Sequence, residues 1–483
     1  MSTDDGSLTV RLAANTIVQA IGTVVASFVA FFTFVAITRG LGPEAFGDFT
    51  AATVFLTIPV VLADVGLSAA LLREISADPT RTESAMRAAL PLRAVVATGA
   101  VAVGLGIGLA APFDEQTKVA ILIASGGAVL TIMTFALQPV LQAELKMHWA
   151  VAANFAGRLV TLALTLGALA AGFGFKSIVG AHVIGIAVTF ALHLVAVALI
   201  VPLWPVIDTL YWRRLVGGSV ALGLAIALSQ IFFRVDAVLL ALLRPAEEVG
   251  FYGAAYKFVE LLVLIPGAAA ASVFPPLMRF IAADDPRALG LVQKAFDVLI
   301  AASVPLTIVM LAYPEELITL VAGPEFSPAA VALQILAPYA LFAFANTLLW
   351  RVVMATHRDR LLLGTAVFVL TANIVLNLIF IPVYGFEAAA AISVVTEAAV
   401  GIPVCLALRT EGRLPTLGYL PPILAATATM TVAVLLLRDH ALAGTLVGGA
   451  AYTATLLLLP GTARDVVLRD LLPATRRAVL RRS

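Results

Sequence analysis

Apolar stretches of about twenty residues recur from residue 13 to residue 459, separated by short charged or Gly/Pro-rich breaks. A helix needs about 20 apolar residues to cross the ~30 Å of bilayer hydrocarbon. Inside that layer every backbone polar group must be satisfied within the protein, so only helices and closed barrels can span it. Barrel strands would show alternating segments of about ten residues. These runs do not alternate, so the chain reads as an all-α polytopic membrane protein. Composition agrees: 61% of the 483 residues are hydrophobic, 12% are charged and the mean hydropathy is +1.04. A soluble domain carries about 25% charged residues.

The runs place about fourteen transmembrane helices, centred on 13–38, 49–72, 88–111, 119–141, 150–171, 178–201, 215–243, 251–277, 292–312, 329–354, 361–383, 388–408, 419–437 and 442–459. The start, MSTDDGSLTVRLAANT, is acidic and its apolar run exceeds a signal-peptide core, so the first run is read as a membrane helix. Every loop is short, and function must therefore be built from helices and their turns. One cysteine and five scattered histidines give no disulfide and no metal constellation. No cofactor is expected, and a net charge of +1 gives no reason to expect a nucleic-acid partner.

Basic residues set the expected orientation. With the N-terminus inside, Arg39, Lys118, Lys176, Arg244 and Arg438 fall outside, and Arg234 and Lys257 lie within helices. The other 23 of the 30 Lys+Arg, Arg93 and Arg158 among them, fall on the inner side. That asymmetry fits the positive-inside rule with both termini cytoplasmic in a cell membrane. The arginines of the tail, 462–483, are spaced among leucines and valines as in a short amphipathic helix on anionic membrane lipids.

The second half repeats the first. Gly47-Asp48-Phe49-Thr50-Ala51-Ala52 aligns with Gly250-Phe251-Tyr252-Gly253-Ala254-Ala255, and Gly174-Phe175 with Gly385-Phe386, at offsets of 203 and 211 residues. Each offset spans six helices. An even number keeps the orientation, so the copies are parallel repeats about an axis along the membrane normal. The chain divides into a six-helix lobe (1–203), a second six-helix lobe (204–412), an extra helix pair (413–461) and a basic tail (462–483).

Charge inside the runs marks the candidate site. Arg234, Asp236, Lys257 and Glu260 lie in the stretch 222–279, and Asp64 stands alone in its own run. A charge at membrane depth costs about 2.5–3.5 kcal/mol on insertion scales, so it faces a partner or a hydrated cavity. Arg234 and Asp236 are i and i+2, on opposite faces of a continuous helix, so each needs another partner. Arg234 suits phosphate recognition through its planar fork, or an ion pair with Glu260 holding two helices together. Lys257 and Glu260, i and i+3, can pair. Asp64 is either a proton or sodium site or a hydrogen-bonded carboxylate. Asn373 and Asn377 share a helix face and suit interhelical hydrogen bonding. Asn154 and Arg158 lie near the start of the fifth helix, where steering a phosphate and plain anchoring both fit. Pro59, Pro266, Pro305 and Pro382 are candidate bend points. Asp284-Asp285 is read as a solvated loop pair.

The outer turn 39–49 (RGLGPEAFGDF), the segment 250–279 (GFYGAAYKFVELLVLIPGAAAASVFPPLMR) and 373–397 (NIVLNLIFIPVYGFEAAAAISVVTE) resemble the Wzx-like polysaccharide flippases of the multidrug/oligosaccharidyl-lipid/polysaccharide (MOP) exporter superfamily. The resemblance covers the whole chain in order. Ala388-Ala389-Ala390 stands where the family often has Gly-Ala-Ala, which touches packing only. The resemblance implies a carrier that takes lipid-linked oligosaccharides from inner to outer leaflet by alternating access. It implies a cavity lined by the first, second, seventh and eighth helices, with Arg39, Arg234, Asp236, Lys257 and Glu260 as substrate-binding candidates. Asp64 is the ion-coupling candidate for H+ or Na+, and a glycan polymerase or ligase is the neighbouring partner.

The alternatives are a drug/cation antiporter, which would have twelve helices, and a peptidoglycan-precursor flippase, which would carry more arginines inside the first lobe. From another class, a membrane glycosyltransferase or polymerase would need an acidic metal motif or a large outer loop. No nucleophile–base pair or metal cluster is visible, so no enzyme is expected.

The topology is checked with single cysteines at Ser177, Ser327 and Ser483 in a chain with Cys405 replaced. The first two should react with a membrane-impermeant thiol reagent applied to intact cells. Labelling of Ser483→Cys under those conditions would overturn the orientation.

Overall fold

The computed structural model describes residues 3–356, 358–416 and 418–460; the tail 462–483 lies outside the described residues. Apart from turns and two short 3₁₀ segments, the described residues are α-helical. The chain forms two compact units, residues 1–250 and 251–483. The first holds α1 (Thr3–Phe55), α2 (Thr57–Asp64), α3 (Leu67–Ala77), α4 (Thr82–Ala110), α5 (Glu115–Ala143), α6 (Met147–Ala170), α7 (Phe175–Ala198), α8 (Thr209–Phe232) and α9 (Val235–Leu243). A long helix, α10 (Ala246–Ala282), begins there and continues into the second unit. The second unit adds α11 (Arg287–Ala312), α12 (Pro314–Ala322), α13 (Ala329–Leu336), α14 (Tyr339–Ala355), α15 (Asp359–Thr410), α16 (Leu420–Leu436) and α17 (Ala441–Leu458).

Nine described helical stretches are long and apolar enough to cross a membrane. Two of them are too long to be single crossings. A helix of 53 residues, the length of α1, would run about 80 Å at 1.5 Å per residue. It reverses at Gly42, whose φ of 74° and ψ of 174° are not helical. Phe34 and Phe46 consequently meet at 5.7 Å, although twelve residues separate them. The 52-residue α15 reverses in the same way at Gly385 (φ 60°, ψ −140°), which lets Asn373 donate to Thr396, 23 residues on, at 3.1 Å. Counting each as two, adding the bent pair α13–α14, the α8–α9 pair and the shorter α16, gives fourteen crossings among the described residues. That is the number expected from the apolar runs.

The repeat becomes visible at one point of close contact. A Cβ on Gly47 would fall on the carbonyl oxygen of Ala246, and a Cβ on Gly250 would fall on that of Pro43. Gly47 and Gly250 are repeat mates, and so are Pro43 and Ala246. Each turn thus presses its glycine onto its mate's carbonyl, the reciprocal exchange that a two-fold axis between them requires.

The units divide after Gly250 rather than at the repeat boundary near 203. Repeats follow sequence, whereas compactness follows contact, and α8 packs on α2 and α3. In the second unit the extra pair α16–α17 is fastened to α11. The hydroxyl of Tyr313, just after α11, lies 3.1 Å from the carbonyls of both Val434 and Leu437, and that of Tyr452 donates to Ala301 at 2.8 Å. Of the four candidate bend points, Pro266, Pro305 and Pro382 sit inside continuous helix, while Pro59 follows the α1–α2 break at Leu56 by three residues, the turn that a proline disrupts.

Replacing Gly47 or Gly250 by alanine should cost about 1–3 kcal/mol each through overpacking against backbone. The two losses in thermal midpoint should be similar, while Gly99→Ala, which meets nothing within 4 Å, should leave the midpoint unchanged.

Candidate functional site

Asp64 ends α2 at a sharp break. Val65 (φ 26°) and Gly66 (φ 73°) both have positive φ, and α3 starts at Leu67. Such a φ is costly for a β-branched residue, about 1–3 kcal/mol, and persists only where the surroundings enforce it. Here the enforcement is visible. A Cβ on Gly223 of α8 would strike the Val65 carbonyl, so α8 lies directly on the break.

Asp64, alone in its own run, is paired across the unit with Arg93 of α4. Nη1 of Arg93 donates to Asp64 Oδ1 at 2.6 Å, and Nη2 donates to Ser68 Oγ at 2.7 Å. The Ser68 hydroxyl lies 2.6 Å from Asp64 Oδ1 and closes the triangle. The Arg93 side chain is 1% exposed and that of Asp64 26%. Arg93 therefore leaves the inner loop to which the basic count assigned it.

Arg158 leaves it too. It is the twelfth residue of the 24-residue α6, mid-span rather than near the start. Its side chain is exposed, and its Nη1 donates to the Ala26 carbonyl of α1 at 3.0 Å. Among the described residues it has no carboxylate partner. With these two removed, the sequence count becomes 21 basic residues on the expected inner side against five. The signal was present in sequence, because both arginines fall inside their predicted apolar runs.

Arg234 stands at the junction of α8 and α9, with φ −131° and ψ −17°. Arg234 and Asp236 would lie on opposite faces only of a continuous helix, and the chain is broken at Arg234. Asp236 is 2% exposed, and its Oδ1 accepts from the Ala237 amide at 2.7 Å. A broken helix at membrane depth is tolerated where it is buried in protein or lines a wet cavity. Arg39 is exposed one turn before the Gly42 reversal. In the second unit Lys257 and Glu260 form the expected pair at 2.8 Å, each side chain about a quarter exposed.

A buried polar set joins the two arms of α15 and α14. Asn377 Nδ2 donates to the Asn373 carbonyl at 2.9 Å and to its side-chain oxygen at 2.8 Å. With Asn373 bonded to Thr396, the interhelical role expected of this pair holds. Asn346 of α14 donates to the Glu397 backbone at 2.7 Å and to its carboxylate at 2.9 Å. Glu397 is 5% exposed and was not singled out in sequence, although it lies in the middle of an apolar run. Asp284 is exposed. The exposed Arg287 guanidinium grips Asp285 at 2.6 and 2.9 Å and holds that carboxyl below the usual range. Both aspartates are surface groups, as expected. No group of three or more His, Cys, Asp or Glu among the described residues could hold a metal ion.

About fourteen helical crossings among the described residues, charged groups at helix breaks and repeat turns in reciprocal contact describe a multi-pass membrane protein with the fold of the MOP-superfamily transporters. The solved structure of the lipid II flippase MurJ, inward closed, aligns with a TM-score of 0.79 at 15% identity, over 93% of this chain and 100% of that one. A MOP superfamily transporter from Pyrococcus furiosus aligns at 0.58 with 17% identity, over 83% and 95%. At these identities the likeness is one of fold. Residues 12–281 match the family described as polysaccharide biosynthesis protein, and the chain belongs to that family. Residues 221–379 also match the MatE family. The probable low-salt glycan biosynthesis flippase Agl15 of Haloferax volcanii is 22% identical over 156 residues, 32% of this chain and 33% of that relative. The chain thus spans about a third of the length of that curated relative.

Removing one member of a buried pair leaves an uncompensated charge costing about 3–5 kcal/mol. Arg93→Ala should therefore lower the detergent-solubilised protein level and thermal midpoint sharply. Arg93→Ala with Asp64→Ala should recover much of both. A double variant as unstable as the single one would show that Arg93 acts through packing alone.

Proposed function

We propose that this protein carries a polyprenyl-pyrophosphate-linked oligosaccharide from the inner to the outer leaflet of the cell membrane, by alternating access, for surface polysaccharide or glycan assembly. The observation that carries the reading is Arg234 at a helix break within a membrane span. A guanidinium there offers a planar, always-charged fork to phosphate oxygens while the lipid tail stays in hydrocarbon. Family membership and the name of the Haloferax relative support the glycan side of the reading.

In this proposal two six-helix lobes, an extra pair and a basic tail form the working parts, with both termini cytoplasmic. Arg39, Asp236, Lys257 and Glu260 join Arg234 as substrate contacts. Asp64, a quarter exposed beside Arg93, is the candidate for H+ or Na+ coupling. Membrane lipids and a glycan polymerase or ligase are the expected neighbours. The protein transports its substrate without altering it covalently.

The second reading is a peptidoglycan-precursor flippase. Such a flippase would carry arginines inside the first lobe, and Arg93 in α4 and Arg158 in α6 supply two.

The test uses protein reconstituted in vesicles with a fluorescent lipid-linked oligosaccharide. Arg234→Lys keeps the charge but loses the fork, so translocation should fall at least tenfold with the thermal midpoint unchanged. Arg234→Ala should be silent yet reach the membrane. Full transport by Arg234→Lys would remove Arg234 from the substrate site.

A further inference from the structure

A cavity of about 630 Å³ lies within the second unit, where several helices end together. Met278, Ile281 and Ala282 come from the last turn of α10, and Ala355 is the last residue of α14. Thr356 and Arg358 lie in the turn before α15, and Glu411 and Arg413 follow its end. One wall is aliphatic and the other is charged.

The charged wall is only partly satisfied from within. Arg358 Nε meets Glu411 Oε1 at 2.6 Å, with the Glu411 side chain 19% exposed. The other carboxylate oxygen, Oε2, is buried with no hydrogen bond among the described residues. Arg413 is half-buried, and its side chain makes no hydrogen bond or ion pair among the described residues. A buried polar atom without a partner calls for a donor, and a guanidinium without one suits phosphate. The two needs have opposite sign, so a simple anion would meet one and repel the other.

We propose that this cavity binds the headgroup of a membrane phospholipid carrying both a primary ammonium and a phosphate, as in phosphatidylethanolamine. The ammonium meets the Glu411 carboxylate, the phosphate lies on Arg413 with Arg358 beside it, and the glycerol and first acyl carbons lie along Met278, Ile281, Ala282 and Ala355. The position fits a lipid. The α10, α14 and α15 ends lie where a span leaves the hydrocarbon, which is the headgroup level. They carry Arg279, Arg358, Arg360, Arg409 and Arg413, so this is the basic end, the inner leaflet by the positive-inside rule. The volume is within the range of small-ligand sites, about 300–1,000 Å³. The site is separate from Arg234 and does not depend on what the protein transports.

The experiment is native mass spectrometry of the full chain in detergent, titrated with dihexanoyl phosphatidylethanolamine, phosphatidylcholine or phosphatidylglycerol. Phosphatidylethanolamine should be retained about tenfold more tightly than the other two. Glu411→Gln should abolish the preference, and Arg413→Ala, which leaves no partner behind, should weaken phosphatidylethanolamine binding about tenfold with an unchanged thermal midpoint. Ala282→Trp, at an exposed position lining the cavity, should block binding without disturbing packing, and so serves if Glu411→Gln folds poorly. Equal retention of the three lipids, a preference for phosphatidylglycerol, or unaltered binding by Arg413→Ala and Ala282→Trp would overturn the proposal. Displacement of the lipid by inorganic phosphate at equal concentration would also overturn it, since the site would then take phosphate alone.

Discussion

Hydrocarbon supplies no hydrogen bonds, and that absence governs this protein. Every crossing has to be helical, and each departure from the helix has to be answered locally. At Gly42 and Gly385 the answer is a reversal at a membrane edge, in a residue with no Cβ to clash. At Val65–Gly66 it is close backbone packing from α8, with a half-buried serine and an ion pair beside the break. At Arg234 the break carries a guanidinium. At these last two breaks a membrane-depth charge shares the place, because both need polar surroundings and one polar environment can serve both.

The charges divide by what balances them. Arg93 is matched by Asp64 and Lys257 by Glu260, each within 3 Å. Glu397 is held by a neutral amide rather than a cation. Among the described residues Arg158 has only a backbone carbonyl. Paired groups cost little to keep once both partners are present, and much once one is lost. A mid-span arginine held by a single carbonyl has to face water or an anion. The Arg93 pair thus belongs with the forces that hold the first unit together.

Packing between repeats is the second constraint. Two glycines that align in sequence, Gly47 and Gly250, each admit a carbonyl from the mate turn, that of Ala246 and that of Pro43. Small residues let backbones approach closely in a membrane, where lipid is as apolar as leucine and packing, not exclusion from water, discriminates between neighbours. The Tyr313 and Tyr452 hydroxyls fasten the extra helix pair by the same logic, since a phenol buried there has to find a carbonyl.

Much of this was legible in the chain alone. Apolar run length fixes helices, because the bilayer has one thickness; the even spacing of repeats fixes their parallel sense; i and i+3 spacing paired Lys257 with Glu260, and i and i+4 placed Asn373 beside Asn377. These are local or periodic properties. Contacts between distant segments were not legible. Asp64 looked alone because its partner is 29 residues away on another helix. Arg93 and Arg158 looked like loop residues because one-dimensional counting assigns a charge to the nearest break, and a helix hides how deep that charge lies. A proline within a span can keep its helix when neighbours satisfy the freed carbonyl, as at Pro266 and Pro305, whereas Val65 leaves the helix because of what packs on it. Sequence determines how many times this chain crosses and which groups are costly to bury; only the tertiary structure decides who satisfies them, since a partner is a matter of distance in space.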